Sequence, residues 1–246
     1  AWGATPVLVS AGADRKILFW DMVEGKTLNS ATVDAPIRAL VMAPDGKKAA
    51  SAGEDGAIHI WDSATGKSLA TIKNGPEWVL ALAFTPDGNQ IAAGSNDGKI
   101  VLWDTSGKKL RDLPAPPMPA PKTPPDPEPV TALAFSPDAK SLFAGQADGA
   151  IQHINLADGK IVRPLAGHQS AVTALEFHPS GSFLASGSKD RTARLWNPAA
   201  GAMLKALEGH EAWVEDVVFL LEGTRLASVS ADGTVKIWDL TEPAKK

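Results

Sequence analysis

Apolar residues come in short alternating segments along the chain, such as Val79-Leu-Ala-Leu-Ala-Phe84, Leu226-Ala-Ser228 and Val235-Lys-Ile-Trp238, each bounded by Gly, Asp, Asn or Pro. Alternation over a few residues marks a half-buried strand, whereas a helix places apolar residues three and four apart. No run has helical spacing with credible caps, so the pattern predicts an all-β chain. Two kinds of turn separate the segments. Pro44-Asp-Gly46, Pro86-Asp-Gly88, Pro137-Asp138 and Pro179-Ser-Gly181 join a first strand to a second, proline presetting the turn and glycine accepting positive φ. Asp55-Gly56, Asp97-Gly98, Asp148-Gly149 and Asp232-Gly233 join the second to the third as tight hairpins.

The segments recur with a long period. An Asp lies six residues before an apolar anchor in the pairs Asp14 and Trp20, Asp55 and Trp61, Asp97 and Trp103, Asp148 and Ile154, Asp190 and Trp196, and Asp232 and Trp238. The anchors are 41, 42, 51, 42 and 42 residues apart. Four of the tryptophans are followed by Asp (21, 62, 104 and 239), and Asn197 follows the fifth. Two repeats also carry a Gly-His pair before the first strand, Gly167-His168 and Gly209-His210.

Four strands per repeat, six times in register, resemble the WD-repeat (WD40) β-propeller family over nearly the whole chain. The resemblance implies an all-β propeller of four-stranded antiparallel blades, in a single domain spanning 1–246. It also implies a hydrogen-bonded chain through the loop His, the second-strand Ser, the turn Asp and the Trp indole. On matching positions these are His168, Ser186, Asp190 and Trp196 in the fifth repeat, and His210, Ser228, Asp232 and Trp238 in the sixth. Ser10 and Ser51 match the serine position in repeats one and two, while Ala93 and Gly145 occupy or adjoin it in repeats three and four. A recurring Asp, His and Ser also suggests a catalytic triad, but the family pattern favours a structural role, since buried polar groups need partners.

Aligned by the turn Asp, Trp2 falls at the end of a first strand, and no outer strand follows Asp239. The start therefore reads as truncated, with six blades from these residues or seven with more sequence upstream. The long interval holds Pro114 to Pro129, nine prolines in sixteen residues. Such a segment cannot join a ladder, so 114–129 is expected to be an inter-blade loop, a stiff spacer with chance PxxP spacings.

Composition narrows the function. The 246 residues include no Cys, which excludes disulfides, thiolate nucleophiles and Cys-ligated zinc. A net charge of −4 supplies no field for phosphate backbones, so no nucleic acid partner is expected. The longest apolar run, Trp78–Phe84, is far short of a membrane helix, so no membrane insertion is expected. His59, His153, His168, His178 and His210 lack metal-ligand spacing, and Gly66-Lys67-Ser68 follows a strand rather than a phosphate loop. No metal, cofactor or enzyme activity is expected.

The leading expectation is a non-catalytic scaffold that binds a protein or peptide on one end of the propeller. By resemblance, the partner-binding residues lie at the start of the first strand, Trp78 and Trp213, and before the turn Asp, Glu54, Asn96 and Lys189, with Arg38 and Glu215 nearby. Packing beneath the loops is the competing role for the two tryptophans. The rival functions are a module appended to a larger enzyme, redox protein or kinase, and a propeller enzyme with its site at the channel mouth.

Overall fold

The computed structural model describes residues 7–113, 128–220 and 223–241. Trp2 and residues 114–127 of the proline tract lie outside them. Chain contacts divide the molecule into two compact units, Ala1–Ala115 and Pro116–Lys246, each described here by itself.

The first unit holds three antiparallel sheets. Sheet 1 comprises β1 (Val7–Ala11), β2 (Lys16–Asp21) and β3 (Lys26–Thr32), and sheet 2 comprises β4 (Ile37–Met42), β5 (Lys48–Gly53), β6 (Ala57–Asp62) and β7 (Ser68–Lys73). Sheet 3 comprises β8 (Val79–Phe84), β9 (Gln90–Ser95), β10 (Ile100–Asp104) and β11 (Lys109–Leu113). The second unit repeats the plan. Sheet 4 is β12 (Val130–Phe135), β13 (Ser141–Gln146), β14 (Ile151–Asn155) and β15 (Ile161–Leu165); sheet 5 is β16 (Val172–Phe177), β17 (Leu184–Ser188), β18 (Ala193–Asn197) and β19 (Ala202–Leu207). Sheet 6 is β20 (Val214–Leu220), β21 (Arg225–Ser230) and β22 (Val235–Asp239). No α-helix occurs among the described residues. Six meandering sheets of three or four strands are the blades of a β-propeller, the all-β class that the alternation predicts.

Each blade is too thin to bury both its faces, so the core lies between neighbouring sheets. In the first unit, Ala50, Ala52, Ile58 and Ile60 of sheet 2 pack with Leu82, Phe84, Ile91 and Trp103 of sheet 3. In the second, Phe143 and Ile151 of sheet 4 meet Leu184 and Trp196 of sheet 5, and Ala185 and Leu195 of sheet 5 meet Val217 and Leu226 of sheet 6. Ile58 and Ile60 are fully buried, whereas the matching Val235 and Ile237 of sheet 6 stay 61% and 52% exposed.

One irregularity bears on function. Near the start of each inner strand the register shifts by a residue, between Ile37 and Ala39, Val79 and Ala81, Val130 and Ala132, Val172 and Ala174, and Val214 and Asp216. The residue passed over is Arg38, Leu80, Thr131, Thr173 or Glu215. A bulge leaves its extra residue outside the ladder and re-aims it. In the second unit the Thr131 hydroxyl donates to the Val172 carbonyl and the Thr173 hydroxyl to the Val214 carbonyl, so the bulge reaches the next sheet.

Candidate functional site

The two Gly-His repeats form near-identical buried chains. In sheet 5, His168 Nδ1 lies 2.7 Å from Asp190 Oδ2 and Nε2 lies 2.7 Å from Ser186 Oγ, which also accepts the Trp196 indole N–H at 2.8 Å. In sheet 6, His210 lies 2.9 Å from Asp232 Oδ2 and 2.7 Å from Ser228 Oγ, which accepts from Trp238 Nε1 at 2.8 Å. Each Asp also accepts from the backbone N–H after the histidine, Gln169 or Glu211, so one carboxylate ties the sheet-to-sheet link to the hairpin. Both imidazole side chains have no solvent exposure, and the hydroxyl of each Ser is engaged between imidazole and indole. No substrate reaches these serines as nucleophiles, so the geometry is that of a brace.

The charge states agree with that geometry. Burial opposes ionisation of Asp190, but the Thr192 hydroxyl, His168 and the Gln169 N–H outweigh it and hold the carboxyl at about 2. The Thr234 hydroxyl leads the groups that hold Asp232 well below the usual carboxylate range. Burial lowers His168, with Asp190 pulling the other way.

The other sheets keep parts of the chain by different means. Trp20 and Trp61 donate to Ser10 and Ser51, each at 2.9 Å. In sheet 3, Ala93 does stand at the serine position, opposite Val101, and Asn74 substitutes for the missing partners. Its Oδ1 accepts from Trp103 Nε1 at 2.8 Å and its Nδ2 donates to Ser95 Oγ at 3.2 Å. In sheet 4 the serine position in register is Ala144, next to Gly145, and the buried Gln152 donates instead to Gln146 at 3.0 Å. Neither Asn74 nor the glutamine pair follows from the repeat pattern, because these residues stand at positions the pattern leaves unassigned.

Within each unit, the expected partner-binding residues lie where the second-to-third turns meet the links entering the first strands. A main-chain bond sets each pair side by side: Glu54 N–H to the Pro36 carbonyl, Asn96 N–H to Trp78, Lys189 N–H to Ala171. In the first unit the Arg38 guanidinium of sheet 2 lies 5.8 Å from the ring centre of Trp78 at the entrance to sheet 3. The same guanidinium pairs with Glu54, its Nε donating to Oε1 at 2.9 Å. In the second unit the Lys189 ammonium of sheet 5 lies 4.4 Å from the ring centre of Trp213 at the entrance to sheet 6. Trp78 is 43% exposed and Trp213 50%, so neither is packed away beneath its loops. Glu215, on the bulge beside Trp213, is exposed.

Trp213 and Lys189 border an open cavity of about 480 Å³, together with Arg191, Glu211, Ala212 and Ala231. Arg191 is a member that sequence reasoning missed. It sits at φ +72°, a left-handed conformation that Gly56, Gly98, Gly149 and Gly233 supply at the same turn of other sheets. A side chain there costs about 1 kcal/mol relative to glycine. The signal was available as the one Asp-Arg in a series of Asp-Gly turns from the second repeat to the sixth. Strain retained on the wall of a cavity marks a site to test for function.

The remaining histidines do not converge. His59 lies beside Asp55 and Thr71, and His178 is partly buried, its ring edge-on to Phe183 and Phe219, rather than fully exposed at its turn. Among the described residues no group of three or more His, Cys, Asp or Glu could hold a metal ion.

With the blades and their braces in view, comparison with known families is direct. The family described as WD domain, G-beta repeat matches residues 25–62, 66–104, 122–155, 159–197 and 201–239. The chain belongs to the WD-repeat family, whose propellers are typically modules of protein interaction. Each match ends on the residue after an anchor, at Asp62, Asp104, Asn155, Asn197 and Asp239. No curated protein matches the chain.

Proposed function

We propose that the chain is a non-catalytic scaffold that holds a protein or peptide segment against the sheet ends of Arg38, Glu54, Trp78 and Asn96 in the first unit, or of Lys189, Trp213 and Glu215 in the second. The observation that carries this reading is the pair of half-exposed tryptophans, each capped by a cation from the preceding sheet. Trp and Arg are the side chains that most often dominate an interface. A cation held over an exposed ring contributes only about 0.5–1 kcal/mol, so a partner displaces it readily, and the freed Lys189 then meets a partner carboxylate, while Arg38 stays paired with Glu54. The favoured partner is a segment with an acidic group next to an apolar or aromatic side chain.

The test uses Trp78→Ala and Trp213→Ala as baits for affinity capture from the source cell, beside the unaltered chain. Loss of the captured partner with a melting temperature within about 2 °C of the parent is expected; a large fall in melting temperature for both variants would instead assign the rings to packing. Arg191→Gly separates binding from stability in one residue. It should raise stability to urea by about 1 kcal/mol by relieving the left-handed arginine, while weakening capture. Unchanged capture would remove Arg191 from the site.

A further inference from the structure

A second cavity, of about 370 Å³, lies between sheets 4 and 5 at the opposite end of the strands. It is bordered by the first-to-second turns and by the turn joining β18 to β19, so it is separate from the surface of Trp213 and Lys189. Phe143 and Phe177, ring centres 5.3 Å apart and edge to face, form its apolar wall. Its polar wall is unusual for this repeat. His153 stands directly opposite Phe143 in the ladder and stacks on it at 4.4 Å, where the equivalent residues are the apolar Phe19, Ile60, Leu102, Leu195 and Ile237.

His153 Nε2 lies 2.8 Å from Ser141 Oγ, and both residues line the cavity. Its Nδ1 is buried and is the one such side-chain atom without a hydrogen-bond partner among the described residues. An orphan of this kind is destabilising, and the leucine of other sheets would avoid it. Because nothing holds Nδ1, nothing fixes the tautomer. With the proton on Nε2 the ring donates to Ser141 and the hydroxyl is free to donate outward. With the proton on Nδ1 the hydroxyl donates to Nε2 and accepts from outside. Burial, with Arg163 nearby, lowers the imidazole and so favours its uncharged form. Without an acceptor on Nδ1 to orient and charge the ring, the pair lacks what a nucleophilic serine needs.

A phenolic hydroxyl donates and accepts equally well, so it satisfies Ser141 in either tautomer while its ring meets Phe143 and Phe177. We propose that the cavity between sheets 4 and 5 is a binding site for an uncharged phenol ring, held by Ser141 backed by His153. The formal charge on the wall is Asp138, whose carboxylate already accepts from the Ser136 hydroxyl at 2.6 Å, so nothing there rewards an anion.

The chain contains no Tyr, so phenol resonances in a mixture belong to the ligand alone. Full-length protein with labelled histidine is titrated with p-cresol, with toluene as the ring lacking the hydroxyl, and with blocked Gly-Tyr-Gly peptide. A saturable shift of the His153 signal is expected with p-cresol, at least tenfold weaker with toluene. Peptide binding as tight as p-cresol or tighter identifies a tyrosine-bearing segment as the source, and binding by p-cresol alone identifies a free phenol; either supports the site. Ser141→Ala should reduce p-cresol to the level of toluene, and Ala199→Trp, on the exposed turn at the mouth, should abolish both. No saturable shift, equal affinity for p-cresol and toluene, or undiminished p-cresol binding by both variants overturns the proposal.

Discussion

Asp190→Ala should lower unfolding stability by about 2–3 kcal/mol, read as a reduced urea midpoint at unchanged slope. The substitution removes the acceptor from the exposed Gln169 N–H and from the fully buried His168, whose ring nitrogen water cannot reach. Trp196→Phe should cost somewhat less, since Ser186 keeps His168. Asp148→Ala is the control. Its carboxylate accepts from the Ala150 N–H within its own turn, in a sheet whose anchor is Ile154, so about 1 kcal/mol or less is expected. Equal losses in all three variants would refute the brace. The parent should also be acid-sensitive in two steps. His168, lowered in the fold, contributes stability that begins to be lost as pH falls below its ordinary 6.5. Asp190, held at about 2, contributes stability present above 3.8 and lost as pH falls from there towards 2. Asp190→Ala should abolish the second step at that site.

Glu176→Gln should stabilise the protein at pH 8 and leave it little changed at pH 4.5. Glu176 lies on β16, where its carboxylate accepts the Phe219 N–H at 2.6 Å. Burial, reinforced by the Asp216 carboxylate, pushes it up to about 7 against the pull of that hydrogen bond. A carboxyl raised in the folded state binds its proton more tightly there than in the unfolded chain. Stability from this group is therefore fully present below about 4.5 and falls as pH rises to about 7. An unscreened shift of that size corresponds to about 3 kcal/mol; the side chain is partly exposed, so roughly half is expected. The glutamine carbonyl still accepts from Phe219, so the variant removes the titration and keeps the contact. A melting temperature whose pH dependence matches the parent's between 5 and 8 would exclude Glu176 as its source.

Strand boundaries were legible to the residue where alternation ran into strong turn signals. Val79–Phe84, read from sequence as an alternating segment, is β8. The residues of the two braces were legible because each stands at a fixed distance from its anchor. Asn74 was not, because it reaches Trp103 across 29 residues from the link before sheet 3, and no local periodicity reports such a contact. Gln146 and Gln152 were hidden for a related reason: a buried amide pair has no repeat-wide template. The cations over Trp78 and Trp213 come from the preceding sheet and become neighbours only when sheets pack. Strain at Arg191 is a backbone property that composition only hints at.

The bulge at the head of each inner strand has an evolutionary consequence. Thr131 and Thr173 each hold a carbonyl of the next sheet, whereas Arg38 and Glu215 stand outside the ladder with side chains that hold no backbone group, so an exchange at either of these two leaves the count of paired backbone groups untouched. Such positions can therefore change while selection for foldability acts on other residues, so that chains with the same architecture can diverge at the surface they present.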